Sequence, residues 1–276
     1  MESITHTAAS AVPTTRVSDL LISKVPQVTL AFWIIKVFST TVGETAADYF
    51  NVTLGFGLGV TSIAVGLVFL AALAGQFITR RYTPAVYWLT VVLVSIVGTL
   101  ITDNLTDVLG VPLWLTTVVF AALLAVTFIV WYLRERTLSI HSIVTRRREA
   151  FYWCAILLTF ALGTAAGDLL AEGLALGYLV SAILFAAVIG AVTIAFFVFR
   201  ANAVMCFWIA YILTRPLGAS LGDLTSQATV DGGLGWGATI TSAVFAVVIV
   251  GLVVYLTRTL ARQRQALKAE TGPAAA

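Results

Sequence analysis

A single residue pattern occurs four times along the chain, and it constrains the fold more than any other feature. Each copy begins with an aromatic residue followed by a tryptophan, with a glycine ten residues and an aspartate fifteen residues after that tryptophan. Self-similarity at a fixed period indicates that the chain is built from copies of one structural unit. The conserved spacing is carried by Trp33, Trp88, Trp153 and Trp208, by Gly43, Gly98, Gly163 and Gly218, and by Asp48, Asp103, Asp168 and Asp223.

Long apolar blocks make up most of the chain. A helix needs about 20 apolar residues to cross roughly 30 Å of hydrocarbon. Eight blocks of this kind lie near residues 30–50, 57–78, 86–108, 112–133, 151–173, 176–199, 205–227 and 236–257. Charged residues account for only 11% of the chain, against about 25% in soluble domains. The blocks lack the period-two alternation of barrel strands, so we expect an all-α membrane protein with eight transmembrane helices, two in each repeat.

Basic residues are confined to alternate loops. Of the 16 lysines and arginines, all except Lys36 and Arg215 lie in the N-terminal arm, in the loops after spans two, four and six, or in the C-terminal tail. An excess of lysine and arginine marks cytoplasmic loops. We therefore predict a multi-pass membrane protein with both termini in the cytoplasm. The basic charge follows from topology and does not indicate a nucleic-acid partner.

An even number of spans in each repeat gives all four repeats the same orientation, so any axis that relates them runs along the membrane normal. The tryptophans are 55, 65 and 55 residues apart, which places the ten extra residues in a linker between two halves. The sequence leaves open a pseudo-fourfold ring or two pairs. The expected segments are an arm at 1–28, repeats at 29–82, 83–136, 150–202 and 203–258, a basic linker at 137–149 and a tail at 259–276.

All acidic residues within the predicted spans lie on the odd-numbered spans. Residues four apart share a helix face, so three of these spans present a stacked pair of acids and the fourth presents an acid with a glutamine. The even-numbered spans carry no charge. We therefore expect the odd helices to form an inner set and the even helices to face lipid. The pairs are Glu44 with Asp48, Asp103 with Asp107, Asp168 with Glu172, and Asp223 with Gln227.

Small residues run beside the acids and a tryptophan begins each odd span. Small residues spaced four apart let helix backbones approach closely, so we assign the glycines in these positions to helix packing. The four tryptophans are expected to anchor the odd helices at the cytoplasmic interface of the membrane. The packing positions include Gly43, Gly98, Gly163, Gly167, Gly218 and Gly222.

The energetic cost of the acids is the main argument about function. One carboxylate at the bilayer centre costs about 2.5–3.5 kcal/mol, so seven would cost on the order of 20 kcal/mol, more than the roughly 5–15 kcal/mol of a typical net stability. Only Lys36 and Arg215 are available as basic partners within the spans. The remaining acids must be protonated, hydrated or neutralised by bound cations. The alternative is that they join the helices by hydrogen bonds as neutral carboxylic acids.

The types of ligand in the spans restrict which ions could bind there. Neither histidine, His6 or His141, lies in a span, and Cys154 and Cys206 lie at the opposite ends of their helices from the acids. Oxygen ligands suit Mg²⁺, Ca²⁺, Mn²⁺ or protons more than Zn²⁺ or Cu²⁺. We predict a divalent metal ion exporter for manganese or magnesium, with proton coupling as an open alternative and with the four repeat aspartates as metal ligands. No covalent cofactor is expected. The expected partners are the lipid bilayer, a small inorganic cation and, as an option, further copies of this chain.

The two basic residues within the spans receive different predictions. Lys36 lies near the inner end of its span, where its long side chain is expected to extend to the interface; the alternative is a counter-charge for an acid. Arg215 lies deeper and precedes Pro216, which removes a helix hydrogen bond. We expect Arg215 to be a gate or an internal cation that competes with the transported ion, or otherwise a structural partner of one acid.

Two other functions remain open. A pseudo-fourfold ring of acids could also select cations in a channel, and a structural or assembly subunit is compatible with every feature described. An enzyme is not expected, because the spans contain no Ser/His or metal–His arrangement and the runs before Asp168 and Asp223 lack the first glycine of a Gly-x-Gly-Asp protease signature.

The repeated pattern resembles a known family. The aromatic–Trp pair, the glycine ten residues on and the aspartate fifteen residues on are similar to those of bacterial inner-membrane proteins with four copies of a repeat of unknown function. The resemblance covers about residues 30–258. It implies two transmembrane regions in each repeat, a characteristic tryptophan and a location in the bacterial inner membrane, but it implies no activity.

Overall fold

The computed structural model describes the backbone of residues 23–271 and the side chains of residues 23–266. Most of the predicted N-terminal arm and the end of the predicted tail lie outside the described residues. Within them all regular structure is helical, which confirms the all-α prediction. Eight long helices follow one another: α1 Leu30–Asp48, α2 Gly57–Ile78, α3 Pro84–Asp103, α4 Leu113–Glu135, α5 Arg146–Asp168, α6 Tyr178–Phe197, α7 Ala203–Ser226 and α8 Gly237–Thr271.

Seven of the eight helices, α2 to α8, are long and apolar enough to cross a membrane. The remaining helix, α1, carries Lys36, Glu44 and Asp48 within its 19 residues. The length and composition of these helices are those of a multi-pass membrane protein. Two boundaries differ from the predicted ones. Helix α5 begins inside the expected linker because Thr145 caps it, accepting a hydrogen bond from the Arg148 backbone N–H at 3.3 Å. Helix α8 continues to Thr271 instead of ending near residue 257.

Three odd helices end in a wider turn that the sequence did not predict. Directly after Asp48, Asp103 and Asp168, the chain forms one π-helical turn, in which a backbone N–H bonds to the carbonyl five residues earlier. The Leu54 N–H meets the Tyr49 carbonyl at 2.9 Å, and the other two turns repeat this bond. π-Helical turns are rare in proteins, and many of those that occur lie at functional sites. The fourth repeat differs, because α7 ends at Ser226 without one.

The odd and even helices differ in their burial and in their neighbours. More than half of the span residues of α3, α5 and α7 are buried, whereas at most 17% are buried in α2, α4, α6 and α8. Helix α1 contacts α3, α3 contacts α5, α5 contacts α7, and α7 contacts α1. Each even helix packs on the odd helix of the following repeat, and α8 packs on α1. Contacts between odd helices therefore form a closed sequence.

Candidate functional site

The odd helices approach one another at the repeated glycines. A Cβ atom added to Gly98 would lie 2.5 Å from the Phe160 Cβ, and one added to Gly163 would lie 2.3 Å from the Arg215 Cγ. In each case the neighbour is the residue seven positions after the next tryptophan. The same relation joins Gly43 to Ser95 and, from the last repeat back to the first, Gly218 to Thr40. Gly167 and Gly222 have looser surroundings, with nearest contacts of 3.7 and 3.3 Å.

Equivalent residues at four-residue intervals form five layers along the odd helices. The aromatic layer precedes the tryptophans and the aspartate layer lies at the other end. We call these ends of the helices the aromatic end and the aspartate end. The layers are aromatic (Phe32, Tyr87, Tyr152, Phe207), lysine (Lys36, Val91, Ile156, Tyr211), arginine (Thr40, Ser95, Phe160, Arg215), glutamate (Glu44, Thr99, Thr164, Ala219) and aspartate (Asp48, Asp103, Asp168, Asp223).

Arg215 and Glu44 form a buried ion pair between the middle layers. The Arg215 Nη2 lies 2.7 Å from the Glu44 Oε2, and the Arg215 side chain is completely buried. The same Nη2 donates hydrogen bonds to the hydroxyl groups of Thr99 and, at 2.6 Å, of Thr164. Thr99 in turn donates to Glu44 at 3.2 Å. One residue from each of the four repeats therefore takes part in a single polar network.

The sequence reasoning missed Thr99 and included Thr164 only as one of several oxygen-bearing residues near the acids, although a signal for both was present. Both lie eleven residues after their tryptophan, at the position that Glu44 occupies in the first repeat. Residues at one repeat position are brought together when the helices contact in register. Searching the repeat for polar residues at the level of Glu44, as well as for acids, would have identified these two threonines.

The aspartate layer is the least buried of the polar layers. Asp48, Asp103 and Asp168 are partly exposed, whereas Asp223 is 8% exposed. The outer members of the predicted pairs lie further out. Asp107 accepts a hydrogen bond from Thr106 at 2.8 Å, and Glu172 accepts one from Tyr178 at 3.3 Å.

A cavity of about 200 Å³ reaches Asp48 from the aspartate end. It lies beside α1 and α8 and at the end of α7, and its lining includes Gln227, the residue predicted to pair with Asp223. Among the residues that the structure describes, no group of three or more His, Cys, Asp or Glu side chains is placed to hold a metal ion. The four aspartates therefore share one layer of the odd helices without forming a coordination sphere in this conformation.

Lys36 does not extend to the interface as predicted. Its side chain is completely buried, and its Nζ lies 4.1 Å from the Phe160 ring centroid and 4.4 Å from the Tyr211 ring centroid. No hydrogen-bond partner lies within reach of this nitrogen in the described part of the chain. Position 36 faces the neighbouring odd helices and not the lipid, and the side-chain nitrogen lies at a cation–π distance from both aromatic rings.

Three of the four tryptophans that were predicted as interfacial anchors are buried between helices. Trp88, Trp153 and Trp208 are 1%, 3% and 5% exposed and belong to the main apolar core, while Trp33 is partly exposed. Trp208 donates a hydrogen bond from its indole nitrogen to the Leu138 carbonyl at 2.9 Å. Their large apolar surface is buried between helices because each odd helix is surrounded by neighbours at this level.

The fold and the repeated site define a class of protein: a multi-pass helical membrane protein built from four tandem two-helix repeats. The family described as Repeat of Unknown Function (DUF347) matches residues 31–82, 86–137, 151–202 and 206–261, and the chain belongs to this family. The resemblance drawn from the repeat pattern is thereby confirmed. Comparisons with curated proteins and with solved structures find no match.

Proposed function

We propose that the protein is a membrane carrier for small cations, with the aspartate layer as its ion-binding region. In this proposal the odd helices form a pseudo-fourfold inner bundle about the membrane normal, and the even helices separate it from lipid. The closed sequence of glycine contacts, from Gly43 to Ser95 and finally from Gly218 to Thr40, supports a ring over two separate pairs. The low burial of the even helices supports their lipid-facing role.

The observation that carries the proposal is the unequal access to the two ends of the odd helices. At the aspartate end, three of the four repeat aspartates are partly exposed and a cavity reaches Asp48. Toward the aromatic end, every residue of the lysine and arginine layers is completely buried. An ionisable region that opens to one side of the membrane and is closed to the other is what alternating access requires.

The Arg215–Glu44 pair supports a carrier in which the Arg215 guanidinium group takes the place of the transported cation when no ion is bound. A guanidinium group neutralises Glu44 directly beside the aspartate layer, so an incoming cation meets the attraction of the aspartates and the repulsion of Arg215. Binding would weaken the hold of Glu44 on Arg215. The pair therefore provides a means by which ion occupancy changes the contact between α1 and α7.

The ligand chemistry restricts the cargo to hard cations. Carboxylate and hydroxyl oxygens suit Mn²⁺, Mg²⁺ or protons, and we retain divalent metal export as the form to test first. A metal ion would require the four aspartates to move closer together than they are here. Protons need no such rearrangement, because a carboxyl group binds a proton without a second ligand.

The proposed orientation follows the basic loops. It places the aromatic end and both termini in the cytoplasm of a bacterial inner membrane and the cavity beside Asp48 on the opposite side. Export would then require an inward-open state in which the aromatic end separates. The exposed apolar surface of the even helices would contact lipid or, in a homo-oligomer, a second copy of the chain.

A channel is the second candidate, supported by the repeated aspartates as a selectivity ring. The complete burial of Phe160, Arg215 and Tyr211 favours the carrier, because these side chains pack closely between the aspartate layer and the aromatic end. A carrier gives saturable flux that responds to pH, whereas a channel gives unitary currents. A structural or assembly subunit would give neither.

Flux in liposomes tests the proposal. The purified protein is reconstituted and exposed to gradients of Mn²⁺, Mg²⁺, Ca²⁺, Co²⁺, K⁺ and protons, together with the Asp103→Asn and Asp168→Asn variants. We expect saturable flux of at least one ion and at least a tenfold loss in each variant, a change of about 1.4 kcal/mol. Asp231→Asn, at an exposed loop position after α7, is the matched control and should transport normally. The absence of flux for every ion, or normal flux in both variants, would exclude the proposal.

A further inference from the structure

The segment before α1, residues 23–29, lies across the aromatic end, and we call it the strap. The Lys24 backbone N–H donates to the Ile143 carbonyl at 3.1 Å, and the Tyr82 backbone N–H donates to the Ser23 carbonyl at 2.9 Å. Val25 is 4% exposed and belongs to the main apolar core. The strap therefore connects the loop after α2 with the loop after α4 at one end of the molecule.

A buried ion pair holds the strap in place. The Lys24 Nζ lies 2.6 Å from the Glu149 Oε2, and the two side chains are 6% and 1% exposed. Gln76, in the last turn of α2, donates to the Glu149 Oε1 at 3.1 Å, and Lys24 also donates to the Phe77 carbonyl at 3.4 Å. The strap, the end of α2 and the first turn of α5 thus meet at one carboxylate.

This pair is specific to one repeat. Glu149 lies four residues before Trp153, and the equivalent residues of the other repeats are Thr29, Pro84 and Val204. None of the three is charged, so the helix ends do not need a carboxylate here in order to fold. Glu149 therefore serves a contact that only the first turn of α5 makes.

The electrostatics of the pair suit a contact that opens and closes. A buried ion pair gives little net stability relative to apolar side chains of similar size, because both ions lose their hydration. When such a contact opens, each charged group is hydrated again, and this hydration offsets the lost attraction between the ions. An apolar contact would instead expose hydrocarbon to water on every opening. A reversible closure is better made with ions.

We infer that Lys24, Gln76 and Glu149 form the gate that closes the aromatic end while the aspartate layer is accessible. This inference deepens the proposed carrier function and rests on it for its role in transport. The opening itself is independent of cargo, since it changes the accessibility of the lysine layer to solvent from the aromatic end. It can therefore be measured without a known transported ion.

A cysteine accessibility measurement tests the gate. Cys154 and Cys206 are replaced by alanine, and Val91, which is completely buried in the lysine layer, is replaced by cysteine. The labelling rate with a membrane-impermeant maleimide is measured in inside-out and right-side-out vesicles. We expect Glu149→Gln and Lys24→Met to increase this rate at least about tenfold from one face only, which corresponds to about 1.4 kcal/mol. The double exchange Lys24→Glu with Glu149→Lys should restore slow labelling.

The matched control is Glu135→Gln, which removes the carboxylate at the end of α4 that pairs with the first turn of α5. Glu135 pairs with Arg147 and Arg148, whose side chains are 65% and 25% exposed, so its loss should leave labelling of the Val91→Cys variant unchanged. Unchanged labelling in both gate variants would overturn the inference, as would an equal increase from both faces, which signifies general loosening. If the single variants do not fold, fast labelling of a folded double exchange overturns it instead.

The outcome also separates the gate from the transport proposal. One-sided labelling in the gate variants, together with no flux for any ion, would retain the gate and exclude the carrier. Flux that depends on Asp103 and Asp168, together with unchanged labelling, would retain the carrier and exclude this gate.

Discussion

The aspartate layer and the arginine layer of the odd helices use the repeat in different ways. In the aspartate layer all four repeats carry the same residue, and three of these side chains are partly exposed. In the arginine layer the four repeats carry Thr40, Ser95, Phe160 and Arg215, and all are completely buried. Four like charges cannot pack together in a dry core, whereas side chains of different size and polarity can. Of these two layers, the partly exposed one is thus uniform among the repeats and the buried one is varied.

The largest expected effect comes from the boundary between these regions. Arg215→Met leaves Glu44 buried without its partner, which we expect to lower the free energy of unfolding by about 3–5 kcal/mol. Thermal unfolding in detergent measures the loss. Adding Glu44→Gln should recover most of it, because an amide can accept the Thr99 hydrogen bond without a charge. If the double variant were no more stable than the single variant, the ion pair would not define this boundary.

A smaller effect is expected where the helices approach most closely. Gly98→Ala places a methyl group 2.5 Å from the Phe160 Cβ, so the helices must separate, at a cost of about 1–3 kcal/mol. Gly167→Ala is the matched control, since its Cβ would meet its nearest neighbour at an ordinary 3.7 Å. Equal unfolding temperatures for the two variants would show that the odd helices do not depend on the repeated glycine contact.

The smallest effect is expected in the lysine layer. Lys36→Met replaces an ammonium group that has no described hydrogen-bond partner with an apolar side chain of similar length. The loss of cation–π attraction, up to about 2 kcal/mol, opposes the gain from removing a buried charge. We therefore expect stability within about 1 kcal/mol of the parent in a chemical denaturation experiment. A loss above about 3 kcal/mol would show that Lys36 has an anionic partner in the folded protein and that the closed region is not dry.

The sequence was sufficient for the architecture and insufficient for the orientation of individual side chains. Apolar blocks and the repeat period predicted the helices, because the thickness of the hydrocarbon layer and the length of the repeat constrain whole segments and not individual side chains. The burial of Lys36 and Trp88 depends on which helix face meets a neighbour, and a long amphipathic side chain satisfies the interface and the core equally well. The pairing of Glu44 with Arg215 joins the first repeat to the last. No local pattern reports on contacts over that separation.

The π-helical turns were also beyond prediction, for a different reason. Each is a five-residue segment that begins directly after a repeat aspartate, at Asp48, Asp103 or Asp168. The flanking residues differ among the three copies, so no composition marks the turn. The repeat does connect them, since all three begin at the same position.

The packing of α8 on α1 brings the end of the last repeat to the beginning of the first. The polypeptide could then be cut between any two repeats without changing the neighbours of any helix. The only requirement is a new linker that joins the last repeat to the first. A circularly permuted chain that begins at the third repeat should therefore reach the native arrangement. Two half-length chains should likewise assemble side by side, because each half already carries both surfaces that the other one requires.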